Sequence, residues 1–295
     1  MSSKNQLKYI EVPYSFVTVD VEDWFHILNA EIPPYEQWDR LPSVVEKGTH
    51  KILDLLDEAG VKTTFFVLGW IAEKHSLLVK EIDKRGHEIA CHGYRHIELN
   101  RPDEIAVRND IVQGKDVLEQ TIGKEVMGYR APGFSTSKYL DLINMLSELG
   151  FRYDASVFPA KRETGENVSF EPKPFYVNIR GKRFYEFPVS VYKKYFLTFP
   201  LGRGFSRITP TWLLLRLIDK AKEQSGGYFM FYFHSREVLR DQPRLNGLNS
   251  RKYFTTYIGI RGFSKKVAKL VTQNKSHRIQ DIVQIYEERI MQGDD

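Results

Sequence analysis

Apolar and polar positions along this chain recur in one order: a short apolar run, a cluster of polar side chains, then a stretch with apolar residues every three or four positions. Residues 15–20 (SFVTVD) are β-branched and aromatic and lead straight into Asp20, Glu22 and Asp23. Such a run reads as a strand of a parallel sheet, apolar along its length and polar at its C-terminal end. Within 43–60, Ile52, Leu55, Leu56 and Ala59 share a helical face that Gly60 ends. The cycle then repeats: a strand at 63–67, a helix at 71–85 closed by Gly86, and a strand at 88–91. Val107, Ile111, Leu118 and Ile122 mark a third helix, 126–129 a short strand, and 139–149 a helix stopped by Gly150 and followed by Asp154. Alternation with short connections predicts parallel strands joined by helical crossovers, with an active site at the strands' C-terminal ends.

The second half is less regular. Pro172, Pro174, Pro188 and Pro200 interrupt 161–207, which reads as loops plus one strand at 184–191. A helix resumes at 210–223, and the apolar strand 228–233 (YFMFYF) delivers His234. A polar, turn-rich stretch at 240–249 precedes two amphipathic helices, one carrying Val267, Leu270 and Val271, the other Ile279, Ile282, Val283, Tyr286 and Ile290. The chain is therefore expected to hold a barrel over 1–240 and a helical extension over 241–295 packed on it.

Composition narrows the picture without identifying a partner. With 42% hydrophobic and 27% charged residues, the chain has the make-up of an ordinary globular protein. The net charge of +5 is mild, and no zinc-finger, RNP-like or basic-helix motif points to nucleic acid. One cysteine, Cys91, excludes an internal disulfide framework and fits a reducing compartment. The first residues lack the apolar core of a signal peptide and no run is long enough to span a membrane, so a cytoplasmic location is expected.

Chemistry concentrates at the strand ends. His92 and His96 lie four apart in HEIACHGYRH, after the strand 88–91, and Gly93 lets the chain curl so that both imidazoles face one point. Two neutral imidazoles suit a borderline cation such as Zn²⁺. If the strands are parallel neighbours, Asp20, Glu22, Asp23, Arg130, Asp154 and His234 surround the same cavity. One carboxylate with two histidines leaves coordination positions open for water and substrate. A second carboxylate can take a proton, Arg130 can orient it, and His234 can protonate a leaving amine.

The motifs TVDVED (18–23), HGYRH (92–96), YRAPG (129–133), YDAS (153–156) and FYFH (231–234) together resemble the five ordered motifs of the polysaccharide deacetylases. These are metal-dependent carbohydrate esterases built on a distorted (β/α)7 barrel. The resemblance covers about residues 15–240. Asp241-Gln242-Pro243-Arg244 and Tyr257–Gly259 are similar to a bacterial subgroup that accompanies exopolysaccharide or O-antigen assembly, often beside exosortase systems. The resemblance implies Asp20 as general base, His92 and His96 as ligands of one divalent ion, Zn²⁺ by preference, Arg130 as the residue steering the base, and His234 as general acid. It leaves the third ligand between Asp23 and Glu22, of which Asp23 is the choice here, and offers Asp154 as partner of His234. It makes the backbone N–H of Gly133 an oxyanion donor, although many members carry an aromatic there. Trp24, Phe25 and Trp38 are candidate sugar-stacking surfaces.

The implied activity is hydrolysis of N-acetyl groups on amino sugars of an envelope polysaccharide or its intracellular precursor. Alternatives are a metal-independent ureide or formamide amidohydrolase on the same barrel and a silent glycan-binding protein. The segment 161–207 carries ten Lys or Arg against four Glu, which suggests a second partner besides the glycan: an anionic membrane surface at the inner face, or a substrate pyrophosphate.

Overall fold

The computed structural model describes residues 7–28, 33–99, 103–136, 139–160 and 170–292. Part of the basic segment, 161–169, thus lies outside the described residues. In chain order the elements are β1 (Lys8–Tyr9), β2 (Ser15–Val21), α1 (Val45–Glu58), β3 (Thr64–Val67), α2 (Gly69–Lys74), α3 (Ser76–Lys84), β4 (Glu88–Cys91), α4 (Glu104–Ile122), β5 (Gly128–Tyr129), α5 (Tyr139–Glu148) and β6 (Tyr153–Asp154). There follow β7 (Phe175–Ile179), β8 (Lys182–Glu186), β9 (Val191–Lys194), β10 (Leu197–Pro200), α6 (Arg203–Ile208), α7 (Thr211–Gln224), β11 (Phe229–His234), α8 (Ser250–Tyr257), α9 (Phe263–Asn274) and α10 (Ile279–Gln292).

The main sheet runs β1-β7-β8-β6-β5-β4-β3-β2-β11. Every pairing from β8 through to β11 is parallel, which gives seven parallel strands, while β7 and β1 run antiparallel at one edge. The sheet curls on itself, and the open seam is spanned by the chain after β8: Ser190 N–H donates to the Met230 carbonyl (3.0 Å), and Met230 N–H to Ser190 Oγ (2.8 Å). This is the distorted (β/α)7 barrel that the motifs imply.

Period-two alternation sorts the strand residues. Val17, Val19, Val21, Phe65, Val67, Phe231 and Phe233 pack outward with the helices. Phe16, Phe66, Ala90, Met230 and Tyr232 point into the barrel. Continuing that inward register, Thr18, Asp20, His92, Arg130 and His234 fall on the inner face, so the polar groups stack above an apolar layer at the strands' C-terminal ends.

The opposite end is closed by the tail. The Ser276 hydroxyl accepts the Val17 N–H (2.9 Å), His277 N–H donates to the Ser15 carbonyl (3.0 Å), and Ile279 N–H to Thr64 Oγ1 (3.0 Å). Ile279, Ile282 and Val283 then complete the inner core. Beneath them Glu88 is fully enclosed and accepts from Thr64 Oγ1, Tyr153 OH and Gln280 N–H at 2.5–3.1 Å.

Several elements differ from the sequence expectation. The helix at 71–85 is two helices, because His75 leaves the helical region at φ −127°, ψ 47°. The strand expected at 184–191 is split: β8 ends at Glu186 before Pro188, and β9 starts a separate hairpin with β10. Strand β7 was hidden by Pro172 and Pro174, and helix α8 by the polar sequence around it. Two basic groups within 161–207, Arg180–Arg183 and Lys193-Lys194, do not rim the barrel mouth. Arg180-Gly181 turns at the Ile179↔Lys182 end of the β7–β8 hairpin, opposite the Glu186 end that pairs with Asp154. Lys193 sits beside Gln224, where α7 ends before β11 begins.

Burial pushes the Glu88 carboxyl up to about 7, against three donors that favour its charged form. A carboxyl with a higher pKa folded than unfolded stabilises the fold while protonated, and that contribution disappears as pH rises through 7. Melting temperature should therefore fall by a few degrees between about pH 5 and pH 8.5, and Glu88→Gln should flatten that dependence. An equally steep fall in Glu88→Gln would show that another group controls it.

Candidate active site

The histidine loop is built by its neighbours. His92 N–H continues the ladder to the Val67 carbonyl (3.0 Å), after which Gly93 adopts φ +78°. A Cβ there would lie 2.6 Å from Asp110 Oδ2, so only glycine lets the loop approach α4. Asp110 accepts the Tyr94 and Arg95 N–H groups at 2.9 and 2.8 Å, and His96 turns back at φ +59°. The two imidazoles end 5.1 Å apart between ring centres.

Glu22 meets them. Its Oε1 lies 3.2 Å from His92 Nε2 and 3.0 Å from His96 Nε2, and all three side chains are buried. One ligand atom from each falls within 4.8 Å of the others. Burial alone would raise the Glu22 carboxyl, but His96, His234 and His92 outweigh it and hold it well below the usual range. For His92, burial lowers the pKa, and the Glu22 and Asp20 carboxylates reverse that, leaving it raised.

The donor set suits a divalent cation. His92 Nδ1 is 2.7 Å from the Arg130 carbonyl, which fixes the proton on Nδ1 and directs Nε2 to the centre. His96 Nδ1 is buried without a hydrogen-bond partner among the described residues, and Nε2 points at the Glu22 carboxylate 3.0 Å away, as a second ligand nitrogen would. Two imidazoles and a carboxylate form a three-ligand set with positions left open.

Asp23, the expected ligand, does not join this centre. Residues two apart on a strand share a face, so Asp20 and Glu22 both face the barrel while Asp23 turns away. Its oxygens accept from Trp24 N–H (2.9 Å), Ser43 Oγ (2.5 Å) and Val44 N–H (3.1 Å), capping the turn Trp24–His26 and tying it to the start of α1. Burial raises its pKa. Trp24 is also a core residue: it is buried, its Nε1 donates to the Pro42 carbonyl, and it packs edge-on against Phe25.

Asp20 is held by Arg130. Nη1 lies 2.7 Å from Asp20 Oδ1 and 2.9 Å from Thr18 Oγ1, Nε donates to the Ala155 carbonyl, and the guanidinium lies 3.8 Å over the Phe66 ring. The pair is almost wholly excluded from solvent, at 1% and 0% exposure. A second possible ion group, Asp20, Glu22 and His234, overlaps the first, but the Arg130 contact already commits Asp20.

His234 lies at the other side, its Nε2 3.7 Å from Glu22 Oε1. Its Nδ1 faces Glu237 Oε2 at 3.0 Å, and its backbone N–H donates to the same oxygen. Glu237, not Asp154, is therefore the acidic partner. The chain signalled it only as a Glu three residues beyond the strand end. Asp154 Oδ1 accepts from Ser156 Oγ (2.5 Å), whose oxygen accepts the Ala131 N–H, so Asp154 braces the RAP loop from behind. It shares a dry site with Glu186; burial pushes Asp154 up to about 6 and Glu186 well above its ordinary value. Gly133 keeps φ +63°, with Leu28 and Glu98 occupying the space a side chain would take.

Fold and centre together define a parallel (β/α) barrel with a histidine–carboxylate centre at its mouth. Residues 35–153 match the family model described as polysaccharide deacetylase, and 155–284 match a domain of unknown function, DUF3473. The first half of the chain is thus similar to the domain of that family. His92, His96 and Arg130 fall in the first match and His234 and Glu237 in the second, while Asp20 and Glu22 precede both. A peptidoglycan-N-acetylglucosamine deacetylase of Bacillus cereus is 35% identical over 85 residues, covering 29% of this chain and 39% of that protein. A peptidoglycan deacetylase of Helicobacter pylori is 28% identical over 153 residues, 51% of this chain and 50% of that one. The chain thus spans half or less of the length of these relatives. Among solved structures, a putative polysaccharide deacetylase from Mycobacterium smegmatis superposes with a TM-score of 0.64 at 21% identity over 96% of this chain and 94% of that one. An allantoinase does so with 0.56 at 16% identity over 92% and 88%. At those identities the likeness concerns the fold.

The two acidic candidates are separable by experiment. Glu22→Gln should abolish stoichiometric zinc uptake measured by elemental analysis. Asp23→Asn should keep the zinc, and the fold with it, because an asparagine still caps the turn through its side-chain oxygen. Zinc loss in Asp23→Asn with retention in Glu22→Gln would reverse the assignment.

Proposed function

We propose that this chain is a metal-dependent N-deacetylase acting on amino sugars of a cell-envelope polysaccharide or its precursor. The observation that carries the reading is the division of one mouth into two halves. Asp20 fixed by Arg130 lies on one side and His234 backed by Glu237 on the other, with Glu22, His92 and His96 between them. A bare glycan-binding barrel needs no such opposed pair. The Glu22–His92–His96 set also favours metal-assisted hydrolysis over the metal-free amidohydrolase chemistry.

A divalent ion held by Glu22, His92 and His96 would supply Lewis acidity toward an acetyl carbonyl and acidify a neighbouring water. Asp20 accepts the proton of the attacking water, and the Arg130 guanidinium holds and aims it. As general acid His234 carries a proton on each ring nitrogen: Nδ1–H donates to Glu237, and Nε2–H is given to the departing amine. The Gly133 N–H is the donor assigned to the developing oxyanion. In this reading the barrel, 1–240, carries the chemistry and the extension, 241–295, supports it. The tail motifs at 241–244 and 257–259 support a place in exopolysaccharide or O-antigen assembly.

The test is acetate release from chitooligosaccharides and peptidoglycan fragments by the zinc-loaded protein. Asp20→Asn should retain zinc and fold while kcat falls by about 10²–10⁴-fold, the range for loss of one proton-transfer group, and His234→Ala should do the same. Wild-type rates in Asp20→Asn would remove the proposed base, and zinc-loaded wild type without acetate release from either substrate would remove the activity.

A further inference from the structure

The C-terminal tail reaches the reaction centre through one buried guanidinium. Arg207, in the last turn of α6, is buried and forms an ion pair with Glu237 between Nη1 and Oε1. The opposite oxygen, Oε2, faces His234 Nδ1 at 3.0 Å and accepts the His234 backbone N–H. Glu237 is fully enclosed, and a carboxylate out of water needs partners on both oxygens. The three side chains form a row, Arg207–Glu237–His234, that ends at the proton donor of the proposed reaction.

Arg207 itself has little freedom. Nη2 donates to the Thr255 carbonyl (2.5 Å) and Nε to the Ile258 carbonyl (3.0 Å), so with Glu237 every guanidinium nitrogen is engaged. A planar fork held in this way has one direction in which to offer Nη1. Lys266 on α9 closes the same end of α6, donating to the Ser206, Arg207 and Thr209 carbonyls at 2.6–2.9 Å.

The tail motifs set this arrangement. Leu245 N–H donates to the Tyr257 hydroxyl (2.8 Å), and the Arg244 guanidinium bonds the Tyr253 hydroxyl and lies 5.3 Å over the Tyr257 ring. These contacts dock α8, whose end presents the carbonyls of Thr255 and Ile258 to Arg207. Gly259 adopts φ +74°, and a Cβ there would lie 2.8 Å from the Arg207 carbonyl oxygen, so only glycine lets the chain pass this close. On the other side Gln242 Nε2 donates to the Arg236 and Leu239 carbonyls, pinning the turn that carries Glu237. Gln242, Arg244, Tyr257 and Gly259 thus act on one pair, Arg207 with Glu237.

Direction matters because an amine departs only as it is protonated, and the donor nitrogen must face it. Glu237 Oε2 holds the His234 ring at Nδ1, and Arg207 holds Glu237 by its other oxygen. We infer that Arg207, set by the tail, is a positioning residue for the proton donor, holding the His234 ring through Glu237 so that Nε2 faces the departing amine; the inference rests on the deacetylase reading for the step that uses this proton.

The test compares two leaving groups in the zinc-loaded full chain. Chitotetraose needs its amine protonated to depart, whereas 4-nitrophenyl acetate releases a phenolate that needs no proton. In Arg207→Gln, kcat on chitotetraose should fall about tenfold or more with KM little changed, while kcat on the ester stays within about twofold of wild type. Arg207→Lys keeps a cation for Glu237 without the bonds to Thr255 and Ile258. It should show a smaller loss, again confined to chitotetraose, and it decides alone if Arg207→Gln does not fold. Equal losses on both substrates mark a merely structural role, and either that result or an undiminished kcat on chitotetraose overturns the inference. A second readout does not depend on turnover. The low-field proton resonance of His234 Nδ1–H, identified by its loss in His234→Ala, should move upfield in the Arg207 variants; an unshifted resonance overturns the positioning role. Wild type without acetate release from chitotetraose would remove the deacetylase reading, while the resonance still decides what Arg207 does to His234.

Discussion

The buried guanidinium of Arg130 is the fixed charge on which the barrel interior depends. It bonds Asp20 and Thr18 on β2 and the Ala155 carbonyl after β6, and lies over Phe66 on β3. Removing one partner of such a pair strands a charge out of water, at a cost of roughly 3–5 kcal/mol. That penalty makes the arrangement self-enforcing, because any register shift that displaced Asp20 would leave Arg130 unpaired. The same residue reaches the histidine side through its carbonyl, which fixes the His92 tautomer. One residue therefore holds the Asp20 carboxylate in place and sets the direction of His92 Nε2. It does so from β5, a strand only two residues long, which needs the bracing that Ser156 and Asp154 give its loop.

A fixed charge at this depth requires the barrel to stay dry below it. Phe16, Phe66, Met230 and Tyr232 form the layer beneath the polar groups, and α10 closes the bottom with Ile279, Ile282 and Val283. The closure is made by hydrogen bonds to strand starts as well as by apolar contact, through Ser276, His277 and Gln280. The residues at 276–283 therefore take part in the barrel's own packing, although they lie far along the chain from the strands they cap. Water excluded from below leaves the mouth as the approach to Asp20, and the low local dielectric strengthens each ionic contact there.

Much of this could be read from the chain, and the failures have physical causes. Strand runs ending in polar residues placed β2, β4 and β11 correctly, because a strand buried on both sides must be apolar until it emerges. The choice of Asp23 overlooked alternation: Asp20 fixes the inward face, and two positions on comes Glu22, so the pleat brings Glu22, not Asp23, to the two histidines. Asp154 belongs to the outer face of a two-residue strand, too short for any period to be counted. The hairpin β7–β8 turns through Arg180 and Gly181 at φ +50° and +80°, the geometry of a two-residue turn. Its Arg-Gly pair is a weaker signal than Asn-Gly, and the prolines just upstream masked the strand. Asp110 acts through the loop backbone it holds, and Ser43 and Glu237 through side chains they orient; an orienting residue has no pattern of its own in a single sequence.

The two family matches divide the chain near residue 154, yet the centre respects no such boundary. His92, His96 and Arg130 come from the first segment, His234 and Glu237 from the second, and Asp20 and Glu22 from ahead of both. The reason is the parallel barrel, in which β2 lies between β3 and β11, so the first and last parallel strands become neighbours across the whole chain length. What the second segment adds is different in kind. Its motif residues make contacts that hold α8, Arg207 and Arg236 in place at the rim. The barrel thus keeps the residues of the centre at the strand ends, where register fixes them. The rim, carried by loops and a docked helix, can change its chemistry without moving the centre. Glu237 is the point at which the two meet, one oxygen on His234 and the other on Arg207.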